Sequence, residues 1–225
     1  MTADPRQLAT SSWRFIDRRD GGRRLADALS GYAGTPGLVV LALPRGGVPV
    51  GYEVALALGA ALDVFVVRKL GFPNHPELAM GAIASGGACV LNEDLIRRSG
   101  ISDAVVSRVA ARELREIARR EHEYRDGRPP LPLGGKTVIL VDDGLATGAT
   151  MRSAVEAVRE QAPARLVVAI PIAAPESCRE MRTVADDVVC AMTPEPLRAV
   201  GLWYENFEQI TDAEVRALLV ASRTT

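Results

Sequence analysis

Two adjacent carboxylates, Asp142 and Asp143, stand where a strongly apolar segment gives way to a loop of small and hydroxylated residues. The apolar residues before them, 138–141, are mostly β-branched, which predicts a strand buried on both faces. The loop, 144–150, contains two glycines and two threonines and leads into a segment with helical spacing. Such a junction presents free backbone N–H groups and the positive end of a helix, which together bind anions. The segment therefore predicts a phosphate in the loop, while the carboxylates face a hydroxyl-rich or cationic part of the ligand.

A sugar phosphate satisfies both requirements, with vicinal hydroxyls on Asp142 and Asp143 and a phosphate monoester in the loop from Thr147 to Thr150. The alternative is an ordinary polar turn after a strand, with no ligand. Such turns are common, whereas two carboxylates followed by a Thr-Gly-x-Thr loop are much rarer. The segment is not a P-loop, because no Gly-Lys-Ser/Thr follows at the required spacing, and it lacks the Gly-x-Gly-x-x-Gly dinucleotide fingerprint.

A second glycine-rich turn follows an earlier apolar segment. Residues 38–43 predict a buried strand and 48–58 a helix, and Arg45, Gly46 and Gly47 lie between them. Arginine is well suited to bind a phosphate through paired hydrogen bonds. The turn could equally serve ordinary strand–helix packing. A binding role is favoured because the 144–150 loop is a second turn of the same kind in this chain.

A basic pair, Arg68 and Lys69, follows the apolar segment 62–67. Open α/β sheets bind ligands at the carboxyl ends of their strands, so these cations are candidates for an anionic substrate. The alternative is a solvated basic turn, since lysine and arginine are mostly exposed.

Three aromatic residues, Trp203, Tyr204 and Phe207, are concentrated in a chain that is 4% aromatic. A flat ring suits stacking on a planar base, and Glu205 or Asn206 could supply hydrogen bonds. The alternative is an aromatic plug that packs under the last helix, in keeping with the preference of aromatic residues for the core.

Residues 138–150 resemble the signature that binds phosphoribosyl pyrophosphate (PRPP) in the type I phosphoribosyltransferase family. The resemblance implies transfer of phosphoribose from PRPP to a nitrogenous, nucleobase-like acceptor, with release of pyrophosphate. It implies that Asp142 and Asp143 hold the ribose hydroxyls. The loop would hold the 5-phosphate, through Gly144, Leu145, Ala146, Thr147, Gly148, Ala149 and Thr150.

The same resemblance implies roles for the other motifs. Arg45, Gly46 and Gly47 would bind pyrophosphate, and Mg²⁺ would be held indirectly by the acidic pair, through ribose hydroxyls and water. A mobile catalytic loop over 71–82 would close over the substrates and exclude water, with His75 or Glu77 as titratable candidates. The expected catalytic set is Arg68, Lys69, Glu77, Asp142 and Asp143. The C-terminal aromatics Trp203, Tyr204 and Phe207 would form a hood over the acceptor, and a homodimer is expected.

One position departs from part of the family. Members that use 6-oxopurines carry an aspartate directly before Thr147, where this chain has Ala146, so hypoxanthine and guanine are not expected as acceptors. The sequence leaves the acceptor open. The alternative function is a non-catalytic PRPP- or nucleotide-binding regulator that acts through a protein partner. A role in DNA uptake or repair is a weaker idea, because the near-neutral charge argues against direct contact with DNA.

The elements that must position these residues alternate between strands and helices, which predicts an α/β fold with a mostly parallel central sheet flanked by helices. One domain, 1–225, is expected. Within it, 71–133 would be an inserted lid of a loop, a hairpin and a long helix, and 194–225 a small hood. Further strands are predicted at 166–170 and 187–191, a hairpin pairing 82–84 with 89–91, and helices at 22–32 (capped by Asp20), 103–125 and 212–219.

Bulk composition narrows the class of protein. The 225 residues carry a net charge of −1 and are 48% hydrophobic, which fits a globular domain and gives no electrostatic basis for binding nucleic acid or an anionic membrane. Three widely spaced cysteines indicate neither a metal site nor a disulfide framework. With no apolar run near eighteen residues and no signal peptide, a soluble cytoplasmic protein is expected.

Overall fold

The structure, a computed structural model, describes residues 13–73 and 75–223, without the side chains of residues 76 and 77. Within these bounds it contains eight strands and seven α-helices. In chain order they are α1 (Arg18–Ala28), β1 (Val39–Ala42), α2 (Gly47–Leu58), β2 (Ala61–Val64), β3 (Val67–Phe72), β4 (His75–Ala84), β5 (Cys89–Leu91), α3 (Glu93–Arg98), α4 (Asp103–Arg125), β6 (Thr137–Val141), α5 (Ala149–Arg159), β7 (Arg165–Ile172), α6 (Pro175–Met181), β8 (Asp187–Met192) and α7 (Asp212–Ala221).

The central sheet confirms the predicted parallel α/β architecture. Its five strands lie in the order β2-β1-β6-β7-β8, and every neighbouring pair is parallel. Leu41 of β1 lies opposite Leu140 of β6, so the two strands end at the same edge of the sheet. The loops that follow β1 and β6 are therefore neighbours.

Helices cover both faces of this sheet because alternate side chains of each strand point to opposite sides. On one side, Val40 and Ile139 pack in a core cluster with residues of α1, α2 and α7. On the other side, Leu41 and Leu140 pack with residues of α5 and α6. The continuous apolar runs read from the sequence are thus buried on both faces, as predicted.

The predicted loop at 71–82 is wrong, because most of this segment is strand. β3, β4 and β5 form a second, antiparallel sheet, and the predicted hairpin within it is confirmed, with Ile83 opposite Cys89. Leu70 and Met80 of this sheet are buried against α4. Prolines and glycines in the segment hid this alternation in the sequence. Arg68 and Lys69 consequently lie inside β3 rather than in a turn after a core strand.

The first helix begins earlier than predicted, at Arg18 rather than near residue 22. Its N-cap is Asp17, not Asp20, because the Asp17 carboxylate accepts the backbone N–H of Asp20. Gly21 and Gly22 both lie within the helix. A side chain at Gly22 would come within 2.8 Å of the Val50 carbonyl oxygen, so this glycine lets α1 pack closely on α2.

The expectation of no disulfide is also wrong. Cys178 of α6 and Cys190 of β8 are bonded through their sulfurs, and Cys89 is free and exposed. The two cysteines are twelve residues apart and meet because α6 folds back against the neighbouring strand, a contact that spacing alone does not reveal. Within the described ranges, no helix is both long enough and apolar enough to cross a membrane.

Candidate active site

The acidic pair lies at the carboxyl end of β6, and both side chains are partly buried. Asp142 accepts the backbone N–H of Asp143 through Oδ1 at 2.8 Å. Asp143 accepts a hydrogen bond from Nε of Arg18 at 2.7 Å through Oδ2. Burial raises the pKa of Asp142 well above its ordinary value, and the charge of Asp143 raises it further. Burial also raises the pKa of Asp143, against the opposing effect of the Arg18 guanidinium.

The glycine-rich turn after β1 lies directly against this pair. A side chain at Gly46 would collide with Oδ2 of Asp143, and one at Gly47 would come within 2.8 Å of the Val141 carbonyl oxygen. The two turns can approach this closely because neither glycine has a Cβ. The peptide bond between Pro44 and Arg45 is cis. The structure therefore brings together the two motifs that the sequence suggested separately.

The loop between the acidic pair and α5 is open to solvent at its polar residues. Gly148 has a φ of +74° and forms the N-cap, with no side-chain hydrogen bond to the helix end. Thr147 and Thr150 are exposed, and their hydroxyls have no hydrogen-bond partner among the residues that the structure describes. Leu145 is buried and pairs with Ala173, which anchors the loop on β7. The loop thus has the open helix start and free donors that an anion requires.

Of the two cations in β3, the structure brings Lys69 near this loop. Lys69 lines a cavity of about 710 Å³ together with Ala149 and Thr150 at the start of α5. Arg68 instead turns toward α4, where its Nε and Nη2 lie 2.9 and 2.6 Å from Oε2 of Glu113. Burial raises the pKa of Glu113, but the hydrogen bonds from Arg68 and Arg112 outweigh it and leave the pKa below its ordinary value.

The other candidates of the inserted segment lie in β4. His75 is exposed at the first position of this strand. Glu77 also lies in β4, but its side chain is outside the described residues, so its predicted catalytic role stays a prediction.

Arg45, in the turn after β1, is half-buried, and its charge opposes the rise that burial causes in the pKa of Tyr124.

Tyr204 is buried among other aromatic rings, which matches the alternative interpretation of the C-terminal aromatics as a packed plug. Its ring lies between those of Phe15 and Phe207, with centroids 5.2 and 5.1 Å away, and it is 3% exposed. Its hydroxyl donates a 2.6 Å hydrogen bond to the carbonyl oxygen of Asp143. Because both ring faces are covered, Tyr204 is not placed to stack on a base. For Trp203, which is half-buried, and Phe207, which is exposed, the acceptor role stays a prediction.

Sequence reasoning missed Arg18 altogether. Its Nη1 donates to the Glu208 carbonyl oxygen at 2.7 Å, and its Cζ lies 3.8 Å from the centre of the Phe207 ring. Nothing local distinguishes Arg18 from the other arginines of α1. It becomes part of the site because the residues before α1 pair with the C-terminal segment, where Phe15 bridges Tyr204.

Three similarities to known proteins bear on this site. Residues 17–201 match the family model of the phosphoribosyl transferase domain. Two Mycobacterium tuberculosis proteins, from strains CDC 1551 and H37Rv, are each 46% identical over 205 residues, which cover 91% of this chain and 46% of theirs. Their names assign phosphoribosyl transferase activity only provisionally, and the chain spans about half of their length. A crystal structure of a Thermus thermophilus protein has a TM-score of 0.80 and 44% identity, and covers 92% of this chain and 98% of that one.

Proposed function

Because the chain belongs to the phosphoribosyl transferase domain family, we propose that it transfers phosphoribose from PRPP to a nitrogenous, nucleobase-like acceptor and releases pyrophosphate. The observation that carries the proposal is the meeting of Asp142 and Asp143 with two glycine-containing turns at one edge of the sheet. At that edge the carboxylates can bind a sugar, and the N–H groups of the two turns can bind the phosphates at the two ends of the sugar.

The acidic pair suits the ribose hydroxyls. Arg18 occupies one oxygen of Asp143, while Oδ1 of Asp143 and Oδ2 of Asp142 accept no side-chain hydrogen bond from any described residue. These oxygens can accept hydrogen bonds from two vicinal hydroxyls. The 5-phosphate would then lie against the start of α5, where Thr147 and Thr150 add hydroxyl donors.

Pyrophosphate departure is the step that needs positive charge. Arg45 and the backbone N–H groups around Gly46 and Gly47 would bind the leaving group from one side, and Lys69 would approach from the antiparallel sheet. Fixed donors of this kind stabilise the charge that develops on a leaving group, since they need no reorganisation during the reaction. The same cluster would orient the anomeric carbon toward the acceptor.

Mg²⁺ is part of the proposal. No group of three or more histidine, cysteine or acidic side chains in the described ranges could hold a metal ion. The oxygen donors of Asp142 and Asp143 nevertheless fit Mg²⁺, which commonly binds one or two carboxylates and completes its shell with substrate phosphates and water. When bound, the ion would supply further neutralisation of the pyrophosphate charge.

One observation favours the alternative, a non-catalytic regulator that binds PRPP or a nucleotide and acts through a protein partner. Arg68, a candidate for contact with an anionic substrate, forms an ion pair with Glu113 of α4. Strand β3 therefore offers the substrate less positive charge than the sequence suggested, and a protein that only senses its ligand needs less.

The test is acceptor-dependent release of pyrophosphate from PRPP and Mg²⁺, measured across purine and pyrimidine bases and amines. Turnover that disappears in the Asp142→Asn/Asp143→Asn variant supports the transferase. Asp27→Asn, an exposed carboxylate of α1, is the matched control and should keep full activity. PRPP binding in calorimetry with no turnover for any acceptor would favour the regulator, and absence of PRPP binding would reject both functions.

A further inference from the structure

Helix α4 carries three arginines on one stripe. Arg108, Arg112 and Arg115 are spaced by four and three residues, which places them on the same side of the helix, and all three are exposed. Together with Arg68 and Lys69 of β3 they line a cleft of about 520 Å³ between the helix and the antiparallel sheet. We call this the α4–β3 cleft.

The charge in this cleft is not balanced locally. Among the described residues of the lining, Glu113 is the one with an acidic side chain, and it already accepts hydrogen bonds from Arg68 and Arg112. Arg108 and Arg115 have no hydrogen-bond or ion-pair partner among the described residues. The next arginines along the same helix contrast with them, since each is paired with a glutamate: Arg119, Arg120 and Arg125. The described lining of the cleft therefore carries an excess of positive charge, in a chain whose net charge is −1.

These features select the chemistry of a ligand. Guanidinium groups bind phosphate oxygens in pairs of parallel hydrogen bonds, and several of them around one concave space favour a ligand with several phosphates. The cleft has the volume of a small-molecule site, which is typically about 300–1,000 Å³. The positive surface spans about two turns of α4, because Arg119 and Arg120, which follow it, are paired with Glu116. This surface is too short to follow the backbone of a long nucleic acid. We propose that the α4–β3 cleft binds a small oligophosphate anion.

The cleft is separate from the proposed PRPP site. Arg45 of the proposed PRPP site lies near Tyr124 of α4, since its charge lowers the pKa of that tyrosine. Tyr124 is nine residues beyond Arg115, which corresponds to roughly 14 Å along the helix axis. In β3, Arg68 points toward α4, whereas the neighbouring Val67 lines the other cavity with Thr150. The antiparallel sheet thus stands between the cleft and the phosphate loop, and Lys69 borders both spaces. The proposal stands whether or not the protein is a transferase.

The experiment is calorimetric titration of the whole protein with inorganic tripolyphosphate at low ionic strength. Two kinds of site are expected in the unaltered chain, because the phosphate loop should also bind this probe. Arg108→Gln/Arg115→Gln should lose one of them or weaken it about tenfold or more, since two charge-assisted contacts are removed. Thr147→Val/Thr150→Val should keep that site and weaken the other.

Arg119→Gln is the matched control, because it removes an arginine of the same helix outside the cleft, and it should leave both sites unchanged. Circular dichroism confirms that each variant is folded. The cleft's affinity should fall steeply with added salt. The proposal is overturned if the Arg108→Gln/Arg115→Gln variant binds tripolyphosphate as the unaltered chain does. It is equally overturned if Thr147→Val/Thr150→Val abolishes all binding, or if a single-stranded DNA oligonucleotide binds the cleft more tightly than tripolyphosphate.

Discussion

Nε of Arg18 donates a 2.7 Å hydrogen bond to Oδ2 of Asp143, a residue 125 positions further along the chain. The arginine is itself held by the Glu208 carbonyl oxygen and by the face of the Phe207 ring. Three distant segments therefore meet at one carboxylate of the proposed ribose site. Because Asp142 and Asp143 are adjacent and partly buried, a single fixed cation beside them decides how much of their mutual repulsion is compensated.

Arg18→Met should destabilise the protein, since it leaves two neighbouring carboxylates without their cation. We expect the free energy of unfolding in urea to fall by about 2–3 kcal/mol at pH 7, toward the lower range for breaking a buried ion pair because Asp143 is not fully buried. The deficit should shrink at lower pH, where a protonated Asp143 needs no counterion. Arg14→Met, an exposed arginine just before α1, should have no measurable effect. An equal loss in both variants would refute this role of Arg18.

Asp142→Asn should stabilise the protein at neutral pH while it abolishes PRPP binding. The pKa of Asp142 is raised in the folded state, so the folded chain binds this proton more tightly than the unfolded chain does. Stability from this group is therefore present at low pH and is lost as pH rises from the unfolded pKa through the folded one. Removing the charge should restore about 1–2 kcal/mol at pH 7, and the advantage should vanish at acid pH. Urea unfolding of both proteins at several pH values measures it, and a variant less stable than the parent at pH 7 would contradict the sign.

Gly46→Ala should impair PRPP binding through a collision rather than through backbone strain. The added methyl group would overlap Oδ2 of Asp143 and displace either this carboxylate or the turn after β1. We expect PRPP affinity in calorimetry to fall about tenfold or more, because both the proposed ribose contacts and the proposed pyrophosphate contacts depend on this approach. Gly31→Ala is the matched control, since a methyl group there meets nothing within 4 Å. Unchanged affinity in Gly46→Ala would show that the two turns do not share a ligand.

The parts that the sequence predicted well are those in which local pattern decides the structure. β1 is apolar throughout, and β6 and β7 are apolar after their first residue. Helix α4 has the predicted bounds because its buried positions repeat with helical spacing. Along this helix Glu116 pairs with Arg120 and Glu121 with Arg125, at the spacing of four residues that stabilises an exposed helix. Arg112 pairs with its neighbour Glu113, which Arg68 of β3 also contacts.

The parts that were missed depend on contacts between distant segments. The sequence placed the start of α1 near residue 22, and the close approach of Val50 to Gly22 could not be predicted from it. The strand pattern of β3 and β4 was hidden by prolines and glycines, and only packing on α4 explains it. Arg18 enters the site from the opposite end of the chain, so no local pattern could identify it, and the aromatic cluster that pointed to Tyr204 did not reveal its hydrogen bond to the Asp143 carbonyl oxygen.

Tyr204→Phe separates the two interpretations of the C-terminal aromatics. The substitution keeps the ring between Phe15 and Phe207 but removes the 2.6 Å hydrogen bond to the Asp143 carbonyl oxygen. The free energy of unfolding should fall by about 1 kcal/mol, the usual effect of losing one such bond. Tyr52→Phe, a half-buried tyrosine of α2, should leave stability and activity unchanged. Because both ring faces of Tyr204 are covered, kcat should change more than the KM for the acceptor, through a shift of Asp143. A selective rise in the acceptor KM would instead mean that Tyr204 contacts the base directly, and that the aromatic plug opens when the substrate binds.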